Sequence, residues 1–402
     1  MTKINKSLTI FSIIALFFSM SLYGQENYQA ATVGFYNVEN LFDTEVSVGY
    51  IDGTRSPNDS LYHISISVDE ISNYETEPFD GEFNYENLEG KKVIRPLILQ
   101  REEFSPGGRK VWNEDKYNQK LKNLSEVIAE LGKAETQTAP VIVGLCEIEN
   151  RQNVEDLINQ PALKRYDYGV VHFNSFDARG VDVALIYQKS RFEVTKAKPY
   201  VIEIYGSDGK RDYTRDILRV TGLLDGEEIT FLVNHWPSRS GGEARSRPRR
   251  QKAAEVMKSI FEEIRAENPK AKILSMGDFN DDPVSPSLDK VMKAIPNKGK
   301  IKDSDVVNLM YNMFRGGMGT LAYRDSWNLF DQIIVTGTMI ESDKKYESYK
   351  VYKTEIYSPD YLVQPDGQYK GYPYRMFSGD TFRANGYSDH FPVYTVLLRQ
   401  AN

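Results

Sequence analysis

The chain has 402 residues, 40% of them hydrophobic and 27% charged, an ordinary globular composition that excludes disorder as its main state. One cysteine, Cys146, excludes an intrachain disulfide, so stability must come from a buried core. The formal net charge of -7 disfavours tight, passive binding to nucleic acid, but not turnover of phosphodiesters with the help of a bound cation.

In chain order, the first segment reads as a leader: Lys3 and Lys6 precede an apolar run over 8–18, and the small residues Ser21 and Gly24 follow. The run is shorter than the roughly 20 residues a bilayer span needs, and no later run supplies one. The expectation is an exported chain, periplasmic or extracellular, with a signal peptide at 1–24 and one domain at 25–402. Loss of Lys3 and Lys6 takes the mature net charge to -9.

A strand over 32–36 leads into Asn37-Val38-Glu39-Asn40. From about 45 to 100 regular patterning lapses in an Asp-, Glu-, Asn-, Ser- and Tyr-rich stretch, read as an acidic surface insertion. Tyr117, Leu121, Leu124, Val127, Ile128 and Leu131 then follow helical spacing, with Gly132 placed to end the helix. A strand over 141–145 leads into Glu147-Ile148-Glu149-Asn150, with Cys146 read as a small buried hydrophobe. Strands follow over 181–187, 218–224 and 229–233, the last two joined by an Asp225-Gly226 hairpin, and the last leads into Asn234-His235-Trp236.

Next comes the densest basic stretch, from Arg239 through Arg245, Arg247, Arg249 and Arg250 to Lys252. It reads either as contacts to flanking phosphates or as a solvated loop and first helical turn. The helix there is expected to start near Pro248, to present Ala253, Met257, Ile260, Phe261 and Ile264 on one face, and to stop at Asn268-Pro269. A strand over 272–276 leads into Gly277-Asp278-Phe279-Asn280, Asp331 precedes a strand over 333–335, and Ser388-Asp389-His390 precedes one over 393–398. The tyrosine-rich residues 346–387 read as irregular packed loop.

Any one of these polar clusters has a bland explanation as a cap or turn. Six of them, four at C-terminal strand ends and two at N-terminal ones, combine oxygen ligands for a hard cation with two histidines for proton transfer. For all six to share one rim, the last two strands must run antiparallel to the first four. That requires packed mixed sheets rather than a doubly wound parallel sheet.

The motifs Leu-Cys-Glu147, Val-Asn-His235, Met-Gly-Asp278-Phe-Asn280, Asp331 before an apolar strand, and Ser-Asp389-His390-Phe-Pro-Val occur in the order of a known family. Over 32–398 the chain resembles the endonuclease/exonuclease/phosphatase superfamily, which is deoxyribonuclease I-like. The resemblance implies an α/β (α+β) fold, a four-layer sandwich of two packed mixed β-sheets flanked by helices. It implies Glu147 as principal metal ligand, with Asn37, Asp389 and Glu39 near the same ion. Asp278 and Asn280 would orient or deprotonate the attacking water, His390 would meet the scissile phosphate with Asp331 as its partner, and His235 would face it from the other side with Asp182 as its partner.

Arg215, in Thr214-Arg215-Asp216, resembles a phosphate-binding arginine, with a surface ion pair to Asp212 or Asp216 as the bland alternative. Arg239 belongs to the same phosphate-binding expectation. The oxygen-rich donor set suits Mg²⁺ or Mn²⁺, with Ca²⁺ also accommodated and zinc a poorer match.

A monomeric nuclease acting on DNA or RNA fits export plus the basic cluster best. The alternatives are an exported phosphatase or phospholipid phosphodiesterase using the same site, and a non-catalytic binding protein on the same fold. A membrane-acting member would carry an exposed apolar hairpin with paired aromatics, and no such segment stands out.

Overall fold

The computed structural model describes residues 27–44, 75–76, 93–94 and 102–401, apart from 174, 176, 178, 207, 208, 210 and 213. The expected leader and nearly all of the acidic insertion lie outside the described residues.

Alternating apolar residues build the strands β1 (Tyr28–Leu41), β2 (Ile142–Ile148), β3 (Tyr168–His172), β4 (Asp182–Gln188), β5 (Phe192–Tyr200), β6 (Ile217–Leu224) and β7 (Glu227–His235). They continue with β8 (Ile273–Asp278), β9 (Ile295–Pro296), β10 (Val306–Asn308), β11 (Asp331–Thr336), β12 (Lys350–Ile356) and β13 (Val393–Gln400). One mixed sheet has the order β12-β13-β1-β2-β4-β3, and the other β9-β10-β11-β8-β7-β6-β5.

All eight expected strands form. Of those the sequence pattern missed, β3, β5, β9 and β12 are the four sheet edges. An edge strand needs no continuous apolar run, as the polar β5 and β12 illustrate. The strand β12 corrects the reading of 346–387 as wholly irregular. Asp225 and Gly226 make the expected hairpin, both with positive φ (48° and 86°).

Two helices cover the first sheet, α1 (Glu114–Glu130) and α2 (Arg151–Ile158), and α3 (Glu243–Glu267) covers the second. Helix α1 ends as expected, with Gly132 at φ 65°. Helix α3 starts earlier than expected, at Glu243, and Pro248 sits inside it. That early in the helix the missing N–H removes a single bond.

Period-two alternation sends β1 residues Val33 and Phe35 into a core between the sheets, where they join Leu185, Phe231, Met276 and Ile333. Tyr36 and Val38 point the other way, to Leu124 and Ile128 of α1. Likewise Ile273 and Ile334 meet Ile260 and Ile264 of α3. The layers are thus helix, sheet, sheet, helix, and Cys146 is a free, buried member of the central core. Among the described residues no helix is long and apolar enough to cross a membrane.

Strand β1 pairs parallel with β2, and β7 parallel with β8, whereas β13 runs antiparallel to β1 and β11 antiparallel to β8. The C-terminal ends of β1, β2, β7 and β8 therefore share a rim with the starts of β11 and β13.

Candidate active site

At that rim the strands depart from regular pairing. The β1–β2 register shifts between Asn37 and Leu41, and the β2–β4 register between Cys146 and Ile148. These bulges hold Glu39 (φ 51°), Asn40 (57°) and Glu147 (64°) in the left-handed region, which turns two carboxylates out of the pleat. Gly277 serves a different need: a Cβ there would lie 2.4 Å from the Asn234 carbonyl oxygen, so only glycine lets β8 lie this close to β7. Just beyond, Asn280 (φ 50°) turns back so that its N–H donates to Asp278 Oδ1 at 2.8 Å. Its side chain donates to the Trp236 carbonyl at 3.0 Å.

Asp278 is the geometric centre. Asn37 Nδ2 donates to its Oδ2 at 3.2 Å, joining the two sheets. His235 Nε2 lies 3.8 Å from that oxygen, and His390 Nε2 lies 4.0 Å from it. Both distances exceed a hydrogen bond, so the two imidazoles face Asp278 without bonding to it. Glu147 Oε1 is also 3.8 Å from His235 Nε2; it pairs with Arg179 at 2.7 Å, and Oε2 accepts from Asn40 N at 3.0 Å. His390 Nδ1 donates to Asp331 Oδ2 at 2.7 Å, as the sequence led one to expect. Glu39 accepts from Arg375, which also lies 3.4 Å from Asp389, itself 3.9 Å from His390 Nε2.

Burial drives the electrostatics. It pushes Asp278 up to about 7, with His390 opposing and Asp331 adding to the rise. It likewise pushes Glu39 up to about 7, with Asp389 adding and Arg375 opposing. For Glu147 burial pulls upward but the Arg179 guanidinium outweighs it, holding the carboxyl below its usual range. The imidazoles diverge. Burial and then Arg215 hold His235 well below the usual value, whereas at His390 the Asp331 carboxylate outweighs burial and lifts it well above. His235 is therefore neutral and His390 cationic at neutral pH.

Three expectations need correction. Asp182 does not meet His235: it lies 3.0 Å from His172 Nε2 and accepts from Ser175, while His235 Nδ1 is buried with no hydrogen-bond partner among the described residues. Asp182 opens β4 and faces the end of β3, the edge strand that holds His172. Arg215 has neither the open phosphate-binding geometry nor the surface pairing with Asp212 or Asp216. It is buried, donating to Asp177 at 2.7 Å and to the carbonyls of His235 and Trp236. Arg239 is similarly engaged, by the Asn280 carbonyl, Asp281 and Asp282, with Phe330 under its guanidinium.

The basic cluster is largely consumed internally: Arg250, fully buried, pairs with Asp281 at 2.7 Å, Arg249 with Asp212, and Arg247 with Glu243. Arg239 and Arg250 anchor the loop after Asp278. Pattern reading also passed over Arg179, Arg375 and His172. Arg179 had a signal, its place three residues before β4 opens at Asp182, but Arg375 sits in a stretch without periodicity.

The donor set fits a hard divalent cation. Glu39, Glu147, Asp278, Asp389 and the Asn37 amide supply oxygen donors along this rim, with Glu147 held by Arg179 and Glu39 by Arg375, and among the described residues Glu39 Oε2 is buried with no hydrogen-bond partner. Among the described residues, the acidic and histidine group whose ligand atoms lie within 4.8 Å of one another is Asp278, Asp331 and His390, of which His390 and Asp331 are already paired; the ligands that the resemblance implies, Glu147, Glu39 and Asp389, do not form such a group.

No curated protein matches the chain in sequence. Solved structures similar to it include humanized D. rerio TDP2 carrying 14 mutations, 15% identical over 71% of this chain and 93% of that chain, with a TM-score of 0.45. An endonuclease/exonuclease/phosphatase family protein from Bacteroides thetaiotaomicron is 13% identical over 93% and 96% of the two chains, with a TM-score of 0.44. A mannosyl-6-phosphatase from the same organism is 14% identical over 91% and 99%, with a TM-score of 0.45. Residues 82–399 match the model of the Endonuclease/Exonuclease/phosphatase family, most of the chain. The chain belongs to that family, whose members are phosphoric ester hydrolases that use divalent metals.

Proposed function

We propose that the chain is an exported phosphodiesterase that cleaves single-stranded nucleic acid by in-line attack of water. The observation that carries this reading is the pair of imidazoles, His235 and His390, 3.8 and 4.0 Å from one oxygen of Asp278, with burial lowering the first and Asp331 raising the second. A phosphodiester resists attack because its oxygens repel the nucleophile. Asp278, poised near neutrality, takes the proton of a water that Asn280 helps to orient. His390, kept charged by Asp331, neutralises a phosphoryl oxygen, and neutral His235 contacts the phosphate from the opposite side. Glu147, with Asn37, Glu39 and Asp389, would hold Mg²⁺ or Mn²⁺, which when bound draws charge from the phosphoryl oxygens.

Support for the substrate comes from a track of rings leading away from His390. Phe391 stacks on Trp327 (6.1 Å, 15°), Trp327 lies 6.1 Å from Tyr372, and Tyr372 lies 5.6 Å from Tyr369. Trp327 is 39% and Tyr369 47% exposed, so both present faces on which bases can stack. Trp327 belongs to a hairpin that the sequence did not reveal, Leu321–Tyr323 with Ser326–Asn328. Its turn is Arg324-Asp325, charged and ill suited to a lipid surface.

The deciding experiment is a panel of single-stranded DNA, RNA, plasmid, sphingomyelin, inositol phosphates and bis(p-nitrophenyl) phosphate, each with Mg²⁺ and with chelator. Metal-dependent cleavage of the single strands is expected. Turnover of lipid or inositol phosphates alone would replace this reading. Export and a cut after Gly24 are tested by N-terminal sequencing of the secreted protein, where a start at Gln25 is expected and a start at Met1 would count against them.

A further inference from the structure

Beside the candidate site, on the far side of Glu39, lies a pocket of about 100 Å³ walled by Glu39, Lys110, Lys120, Trp112, Arg375 and Phe377 among others. Helix α1 delivers Lys120 to it. That side chain is 2% exposed, yet among the described residues its ammonium has no hydrogen-bond or ion-pair partner. An unpaired buried ammonium is costly to keep, and burial indeed lowers Lys120 to about 8 despite the opposing pull of Glu39 and Asp389. Lys110 lies alongside, 9% exposed, with its Nζ 3.2 Å from the Gly379 carbonyl and 4.5 Å from the Phe377 ring. The pocket's acids already have arginine partners, Glu39 in Arg375, which it shares with Asp389, and Glu103 in Arg109, which it shares with Asp380. Among the described residues, Lys110 and Lys120 are the cations of this wall with no carboxylate within ion-pair distance.

We propose that this pocket binds a terminal phosphate monoester of the substrate, so that the enzyme prefers a scissile diester next to a phosphorylated chain end. This rests on the phosphodiesterase reading above. A monoester carries about -1.5 to -2 charges at neutral pH, matching the two lysines, whereas an internal diester carries one. Glu39 and Arg375 link the two places: they wall the pocket, and Arg375 reaches Asp389, which lies 3.9 Å from His390. The chemistry is the same for a 5′ or a 3′ end.

The test compares a thymidine dinucleotide bearing no terminal phosphate, a 5′-phosphate or a 3′-phosphate, with the wild type, Lys120→Met and Lys120→Arg. One phosphorylated form should have kcat/KM about tenfold above the bare dinucleotide in the wild type and in Lys120→Arg. Lys120→Met should abolish that preference while keeping the bare dinucleotide and bis(p-nitrophenyl) phosphate within about twofold of wild type. Loss on all substrates alike would reduce Lys120 to a structural role, and no preference in the wild type would overturn the proposal. A second arm needs no turnover: in chelator, thymidine 3′,5′-bisphosphate should bind about tenfold tighter than either monophosphate, and Lys120→Met should erase the difference. If no diester is hydrolysed the phosphodiesterase reading fails, while the binding comparison still decides the pocket; equal affinities would sink it.

Discussion

His235 and His390 are both buried, so burial alone cannot set their charge states apart; their partners do. His390 donates to a carboxylate, whereas among the described residues His235 Nδ1 has no hydrogen-bond partner, and the ring feels Arg215 and Arg179. Asp331→Asn keeps an acceptor for His390 Nδ1 but removes the charge that lifts its pKa. The alkaline limb of kcat/KM should then move to lower pH and kcat should fall, and a pH-rate profile with an unmoved alkaline limb would remove His390 from its charged role. The pairing of His390 with Asp331 was implied by the family resemblance. The partner of Asp182 was not, because choosing between His172 and His235 depends on an edge strand whose sequence carries little pattern.

At the level of elements, the central strands announced themselves through apolar runs, and the edges and the Trp327 hairpin did not. The bulges at Glu39 and Glu147 left no mark either, since nothing in Asn-Val-Glu-Asn or Cys-Glu-Ile demands positive φ. Nor did the basic cluster disclose that Arg250 is drawn inward to Asp281. Breaking a buried pair leaves an uncompensated charge, so Arg250→Ala should cost about 3–5 kcal/mol in denaturant unfolding, and a loss under about 1 kcal/mol would contradict the anchoring role. The hairpin makes a separate prediction. Base stacking is worth about 1–3 kcal/mol, so Trp327→Ala should raise KM for single-stranded DNA by about tenfold or more. Equal losses on bis(p-nitrophenyl) phosphate would deny Trp327 a part in base recognition.

Across the whole molecule, the sandwich gathers more acid at one rim than its own cations match. Asp278 and Glu39 are pushed up to about 7, above unfolded values of about 4. A raised carboxyl favours the folded state while protonated; that contribution is complete below about pH 4 and is lost as pH rises through about 7. His390, also raised, changes in the same direction, and the lowered His235 opposes it only below about pH 6.5. The Tm of the metal-free protein should therefore fall between about pH 6.5 and about pH 8, and Mg²⁺ should offset the fall. Calorimetric curves that coincide in chelator and in Mg²⁺ would mean that no cation is held there.

The mixed sheets were legible because the antiparallel return of the last strands follows from placing six polar clusters on one rim, and the four layers were implied by the family resemblance. The central claim is that these clusters form a single hydrolytic centre. It is tested most directly by the Mg²⁺-dependent turnover of bis(p-nitrophenyl) phosphate by His390→Ala, beside a circular dichroism melt. The account predicts a loss of about 10²-fold or more with the melt unchanged, and full turnover by the folded variant would contradict it.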